Sequence, residues 1–539
     1  MFYLITFLII ANLHCFGGCP FRANETAPSS EKSSNLKDCP ACTNQTSYLT
    51  LPLPEDSLPY RVTIEQADFM LPTGLHSFAY AVYEGQWVLI GGRTNGLHDV
   101  DNTDPTSNPF PSSQQNMNVF VINPKTKETY SRALNDPSGK LSQVQIDLLS
   151  ATNTLFCYAN KKNTLYVVGG YGIDTATNKM ETKQALTAID IPHLIKWVKN
   201  PETSKSASKC VRTIFHPIFQ LTGGVMLQSN ENQPYLLAFG QNFSGNYVTT
   251  SNGSYSRQVR PIQIIDDGHA LSVQLYPQPE PLPHYRRRDL NVIPVIKRNG
   301  ESLAMSFSAL SGVFTLSDNI DNPGAWTIPI EIDPDGCSRM LDPNNPNTFA
   351  QAMNNYSCAN MGLYSLKKDR MYTLLFGGIS ASMFSDGSSC NTNPNPQCNC
   401  CTAWLPSKGN IFTTCCNLPF SNDVTTVEID SQGVYRQYLM SGTYPTINSF
   451  PPIVPSFTPK TCSGDPLQTI YYFGANAAFI PTEELPTFPN GVVSLDQLGE
   501  NPVFVGYILG GIASTILDTN STTDSQSSPY IFKVTISPQ

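Results

Sequence analysis

Trp87-Val88-Leu89-Ile90-Gly91-Gly92 is a β-rich apolar run that stops on paired glycines, and the chain repeats it. Leu165-Tyr166-Val167-Val168-Gly169-Gly170, Leu374-Leu375-Phe376-Gly377-Gly378 and Tyr507-Ile508-Leu509-Gly510-Gly511 end the same way. Tyr235-Leu236-Leu237-Ala238-Phe239-Gly240 keeps one glycine, and Met305-Ser306-Phe307-Ser308-Ala309 is a degenerate member. A short apolar run closed by glycine reads as a buried strand ending in a turn that needs positive φ. Recurrence of such units along a chain is the mark of radial repetition.

Each run sits second in a group of strands. First strands are expected at Leu75–Tyr80, Asn153–Phe156, Phe219–Leu221, Leu290–Ile293, Ser357–Ala359 and Asn476–Phe479. Third strands are expected at Val119–Ile122, Ala185–Ile189, Val313–Leu316 and Val424–Val427, and fourth strands at Val273–Leu275 and Trp326–Ile328. The last group runs out at Ile531–Val534, while Arg61–Ile64 stands spare before the first. The expectation is an all-β, six-bladed β-propeller in which the N-terminal strand completes the last blade and removes an open edge. Seven blades is the alternative, should the 378–506 stretch contain another.

The chain has 539 residues, 40% apolar and 14% charged, with 43 Pro and 35 Gly. One repeat array can occupy that length, and the Pro and Gly suit many turns. A net charge of −9 offers no chain-wide electrostatic case for nucleic acid. Residues 1–18 read as a signal peptide: an apolar run to about Leu13, without Lys or Arg before it, then Gly17-Gly18 ahead of Cys19, where a lipid anchor is an option. No stretch reaches the ~18 apolar residues of a transmembrane span. There are 15 cysteines; loss of Cys15 with the leader leaves an even set, which suits an oxidising compartment. The expected location is secreted, periplasmic or at the cell surface. Residues 19–57 read as a Cys-containing linker and 58–539 as the propeller.

A Cys-rich loop insert at 384–420 holds Cys390, Cys398, Cys400, Cys401, Cys415 and Cys416. Their spacing matches no zinc-ribbon or finger pattern, so a disulfide-stapled loop is expected and no metal site. In a propeller the second-to-third and fourth-to-first strand loops emerge on one face. His76, Arg93, Asn95, His98, Asn153, Arg287, Arg288 and Asn355 fall in or beside them, and are the candidate ligand residues. Amides, guanidiniums and imidazoles at one mouth suit a polar, uncharged or mildly anionic ligand such as a sugar. Asp174, Gln241, Asp289 and Asn476 fall in the same loops, Asp289 being equally placed for an ion pair with Arg288.

Gly74-Leu75-His76-Ser77-Phe78-Ala79 leading to Trp87–His98, together with Ala151-Thr152-Asn153, His284–Pro294 and Val505–Ile512, resembles the kelch-repeat β-propellers. That family includes the central domain of galactose oxidase, and the match is closer to secreted bacterial kelch-type proteins of unassigned function. The resemblance covers about residue 58 to the end and brings no settled activity; the polar mouth and the stapled loop give the expectation of a binding or adhesion module for carbohydrate or protein, with no cofactor. It also admits a sugar mutarotase or epimerase, with Asp289 and Arg288 or His76 moving protons. A copper-radical oxidase is the weaker alternative. His76, His98 and His284 are available to it, but the only nearby cysteines are Cys157 and Cys358, inside first strands.

Overall fold

The computed structural model describes residues 50, 52–98, 108–247, 253–313, 315, 325–380, 420–447, 471–515 and 525–539, and the backbone of three strands between 382 and 414. It is all-β, with two α-helices, α1 (Gln143–Leu149) and α2 (Ile191–Lys199). Six antiparallel groups of four strands follow one another. Sheet 1 comprises Ala79–Tyr83, Gln86–Ile90, Asn118–Asn123 and Glu128–Ala133. Sheet 2 comprises Leu155–Ala159, Thr164–Val168, Ala185–Asp190 and Val211–Phe215, and sheet 3 Val225–Leu227, Tyr235–Ala238, Val259–Asp266 and Leu271–Leu275. Sheet 4 is Asn291–Asn299, Ser302–Leu310, Ile330–Ile332 and Ser338–Met340. Sheet 5 is Ala359–Ser365, Arg370–Ile379, Phe420–Ile429 and Tyr435–Thr443. Sheet 6 joins Ala478–Pro481, Val503–Leu509 and Tyr530–Pro538 to the N-terminal Tyr60–Met70, with Arg61 opposite Ser537 and Ile64 opposite Val534. No seventh such group occurs among the described residues.

The second strands are mostly apolar because both faces are covered, the main exception being Ser302–Leu310 of sheet 4 with Ser302, Ser306 and Ser308. In sheet 2, Leu165 and Val167 pack toward sheet 1 with Val88 and Ile90, while Tyr166 and Val168 pack toward sheet 3 with Leu237 and Ile262. The next clusters join sheets 3 and 4 through Leu236 and Phe307, 4 and 5 through Val295 and Leu375, and 5 and 6 through Phe376 and Ile508. A further cluster packs Leu509 and Ile531 of sheet 6 against Trp87 and Leu89 of sheet 1. The packing thus returns from the last sheet to the first.

The glycine pairs make the same contact in each sheet. A Cβ on Gly169 would collide with the Leu221 carbonyl at the entry to sheet 3, and one on Gly510 with the Leu75 carbonyl at the entry to sheet 1. The degenerate members keep the backbone conformation without the first glycine. Phe239 adopts φ 62° and Ser311 φ 59°, each before a glycine at positive φ. In sheet 4 the turn is therefore Ser311-Gly312, two residues beyond the expected run. Of the expected third strand, Val313 and Thr315 belong to the connection, and Phe314 and Leu316 lie outside the described residues; Trp326–Ile328 belongs to the connection as well, and the third and fourth strands begin at Ile330 and Ser338. Phe219–Leu221 likewise precedes the first strand of sheet 3, in a 3-10 turn and its exit. Within the expected linker, Leu53–Pro54 pairs in parallel with Tyr438–Leu439 on the edge of sheet 5, and Glu55 accepts from Ser441 N at 2.8 Å. Residues 1–49 lie outside the described residues.

Candidate functional site

Two residues before each first strand the backbone turns left-handed: Ser77, Asn153, Gly223, Asp289, Ser357 and Asn476 all have φ between 49° and 70°. This points their amides from sheet to sheet. Asn153 N donates to Ser77 O at 3.1 Å, Gly223 N to Asn153 O at 3.0 Å and Asp289 N to Gly223 O at 2.8 Å. Asn476 N donates to Ser357 O at 2.5 Å, and Ser77 N to Asn476 O at 3.4 Å. Between sheets 4 and 5 the Asn291 side chain makes the link, accepting from Cys358 N at 3.1 Å and donating to Asn355 O at 2.8 Å. Below this girdle lies a cavity of about 290 Å³ lined from all six sheets, including Tyr80, Phe156, Asn291, Asn360 and Phe479.

Above the girdle, each sheet offers two paired residues. The one before the left-handed position bridges the one after the glycine pair: His76 with Arg93, Thr152 with Tyr171, Thr222 with Gln241, Arg288 with Val313, Tyr356 with Ile379, and Ala475 with Ile512. Sheets 1 to 3 and the arginine of sheet 4 make a polar sector. Sheets 5 and 6 make an apolar one, where Ile379, Phe420, Ala475 and Ile512 pack together.

The polar sector holds a continuous ladder of side chains. The Arg93 guanidinium lies 5.0 Å over the Phe110 ring, and His98 packs at 4.6 Å on Phe110 and 4.8 Å on Tyr247. Arg288 lies 5.3 Å over Tyr247 and donates to its hydroxyl at 2.7 Å. Tyr171 and Phe243 back the ladder at 5.5 Å from Phe110 and 5.3 Å from Tyr247. Phe110, His98 and Tyr247 are half-buried. Sequence reasoning found Arg93, His98 and Arg288 but missed Phe110 and Tyr247, whose only signal is an aromatic in a long second-to-third strand loop.

Arg93 is 1% exposed and His76 5%. Arg93 Nε donates to Asn95 Oδ1 at 2.9 Å and Nη2 to Pro111 O at 3.1 Å, while Nη1 has no hydrogen-bonding partner. Burial lowers its pKa to about 10. His76 Nδ1 is 2.9 Å from Ser77 Oγ and Nε2 has no partner. Burial, with the nearby Arg93 charge, holds this imidazole down to about 3, against a smaller opposing pull from the Asn95 backbone. Arg288 Nε lies 3.5 Å from Asp289 Oδ2. Burial pushes the Asp289 carboxyl upward, with Arg288 opposing.

Two candidates are corrected. Arg287 is fully buried and spends its donors on protein: Nη1 on Ser311 O at 3.2 Å, Nη2 on Ile328 O at 2.8 Å and the Met340 sulfur, Nε on His284 O at 3.4 Å. It also lies 4.8 Å over Trp326, and is a brace. Asn355 spends its amide on Gly377 O at 2.6 Å and accepts from Thr425 Oγ1 at 3.1 Å, so it too is framework. Asn153 and Asn476 belong to the girdle and Asn95 orients Arg93. Gln241 is buried in its pairing with Thr222. Asp174 caps a turn through Ala176 N and Thr177 Oγ1. His284 is exposed, 6.3 Å from the Trp326 ring. Cys390, Cys398, Cys400, Cys415 and Cys416 lie outside the described residues, and Cys401 opens a strand described by its backbone alone. Cys337, which the sequence reading passed over, is disulfide-bonded, and Cys157, Cys210 and Cys358 are free thiols pushed up to about 12 by burial.

No family model matches the chain, and no curated protein matches it. Solved structures that align with it include a xylan β-1,4-xylosidase from Bacillus halodurans, at 10% identity and TM-score 0.27 over 73% of this chain and 60% of that one. A RAG complex aligns at 9% identity and TM-score 0.27 over 88% and 100%, and polysaccharide lyase Uly1 at 9% and 0.26 over 86% and 90%. Likenesses at these scores carry no argument, and the chain spans under two thirds of the xylosidase's length.

Proposed function

We propose that this chain is an exported, six-bladed β-propeller of kelch type that acts as a binding module, with a carbohydrate taken at the mouth above sheets 1 to 4. The ring is supported by three independent features: packing that returns from sheet 6 to sheet 1, the girdle of amides, and one cavity lined from six sheets. The observation that carries the binding reading is the Arg93–Phe110–His98–Tyr247–Arg288 ladder, half-buried rings flanked by guanidiniums. Aromatic faces take the apolar face of a sugar ring, and fixed N–H donors take its oxygens. A glycan array tests it: wild-type protein captures a defined set of glycans, and the double variant Arg93→Gln, Arg288→Gln loses them while remaining folded. Capture unchanged in that variant would remove the mouth as the site.

A second reading has one observation in its favour. Asp289 has a carboxyl raised by burial and sits beside Arg288 at the girdle, an arrangement suited to proton transfer in a mutarotase or epimerase. Its measure is turnover of any array hit, followed by NMR of the anomeric protons. Acceleration that Asp289→Asn abolishes supports it, and hits that stay unchanged leave the protein a binder.

A further inference from the structure

Among the described residues Arg93 is a cation without a counterion. It makes no ion pair among the described residues, although it is 1% exposed. Burying a charge is costly unless it is paired and its donors are used. Here one donor, Nη1, is left over among the described residues, and the Nε2 of the neighbouring His76 makes no hydrogen bond of ordinary geometry, the Asn95 backbone exerting only the smaller pull on the ring. The other inward-facing residues of the polar sector are better satisfied: the Tyr171 hydroxyl bonds Gly245 O at 2.5 Å, and Gln115, which pairs by backbone with Arg93, donates to Ser150 O at 3.0 Å and accepts from Ile173 N at 2.9 Å. Asn242 Oδ1 and Ser256 Oγ, in the loop of sheet 3, are also without a partner among the described residues, but both are neutral; the unused donor of an unpaired cation lies at the His76–Arg93 corner, against the half-buried Phe110 ring.

We infer that the His76–Arg93 corner of sheet 1 is an anion site, and that it receives the carboxylate of an acidic sugar whose ring lies on Phe110, His98 and Tyr247. This rests on the binding reading above and names its ligand class. A carboxylate on Arg93 Nη1 supplies both the missing counterion and the missing acceptor. His76 offers its second oxygen a donor when Nε2 carries the ring proton, the tautomer in which Nδ1 accepts from the Ser77 hydroxyl. A short acidic side chain of a protein partner carries the same charge but has no ring to cover three aromatic groups, so the acidic sugar is favoured.

The test has two arms. Crystals soaked in bromide should give an anomalous peak within hydrogen-bonding distance of Arg93 Nη1, and crystals of Arg93→Gln should give none. Density there that refines as water alone, with no bromide, overturns the anion site. In solution, D-glucuronate should bind at least tenfold more tightly than D-glucose at constant ionic strength, and His76→Asn and Arg93→Gln should each erase that preference. Equal binding of the two sugars defeats the inference while leaving the binding reading intact. A bromide peak with no binding of either sugar or of any glycan preserves the anion site but removes the carbohydrate. Preference for N-acetylglutamate over glucuronate would reassign the ligand to an acidic peptide, against the proposal.

Discussion

The corner around Arg287 and the corner around Arg93 bury the same group to the same depth and treat it oppositely. Each guanidinium lies over an aromatic ring, Trp326 at 4.8 Å and Phe110 at 5.0 Å, and neither meets a carboxylate among the described residues. Arg287 is satisfied by the carbonyls of Ser311, in the irregular Ser311-Gly312 turn, of Ile328 in the connection that follows it, and of His284. There the arginine replaces regularity that the sequence lacks. Arg93 follows a regular Gly91-Gly92 pair that needs no such help, and it keeps a donor unused. Residue type and burial do not separate a brace from a site; the count of unmet donors does.

The largest effect should come from the brace. Arg287→Met strands at least two buried carbonyls, and should cost about 4 kcal/mol of stability, at about 1–3 per orphaned group. Urea denaturation checks it, and a loss near zero would mean that the sheet 4 turn holds without its arginine.

Acid sharpens the other corner. His76 has its pKa lowered from 6.5 to about 3, so between those values the unfolded chain carries a proton that the native state refuses. Stability from this residue is complete above pH 6.5 and falls as pH drops toward 3, at up to about 1.4 kcal/mol per pH unit. Wild type should therefore lose about 2–3 kcal/mol more than His76→Asn between pH 6.5 and 4.5. Parallel losses in the two proteins would place His76 in water.

Tyr247→Phe removes the hydroxyl that accepts from Arg288 at 2.7 Å while keeping the ring. A cost of about 1–2 kcal/mol is expected, since the donor is charged. A double-mutant cycle with Arg288→Gln should return most of it as coupling. Independent costs would mean that the ladder is not connected at that rung.

Much of the fold is legible in the sequence, because most buried second strands are largely apolar on both faces and the glycine pairs of sheets 1, 2, 5 and 6 are forced by contact with the next sheet. Sheet 4 was misread where it departs from that rule: Ser311 takes a left-handed backbone without being glycine, which shifted the expected third and fourth strands upstream. The helices α1 and α2 were missed as insertions among strands. The mouth was legible in part. The residue after each glycine pair runs Arg93, Tyr171, Gln241, Val313, Ile379, Ile512, and that order alone divides a polar sector from an apolar one. Saturation was not legible. Arg287 and Arg288 are adjacent, and only the folded chain sends one to backbone carbonyls and the other to Tyr247.

The smallest stability effect belongs to the residue with the largest functional one. Arg93→Met removes an uncompensated buried charge and should change stability by under about 1 kcal/mol, because the desolvation it relieves offsets the two hydrogen bonds it loses. The decisive measurement is calorimetric affinity of that variant for the strongest glycan captured by wild type, beside its thermal midpoint. The account predicts at least a tenfold loss of affinity with the midpoint within a few degrees of wild type. Affinity retained in a folded Arg93→Met protein would contradict it, and would make Arg93 a second brace.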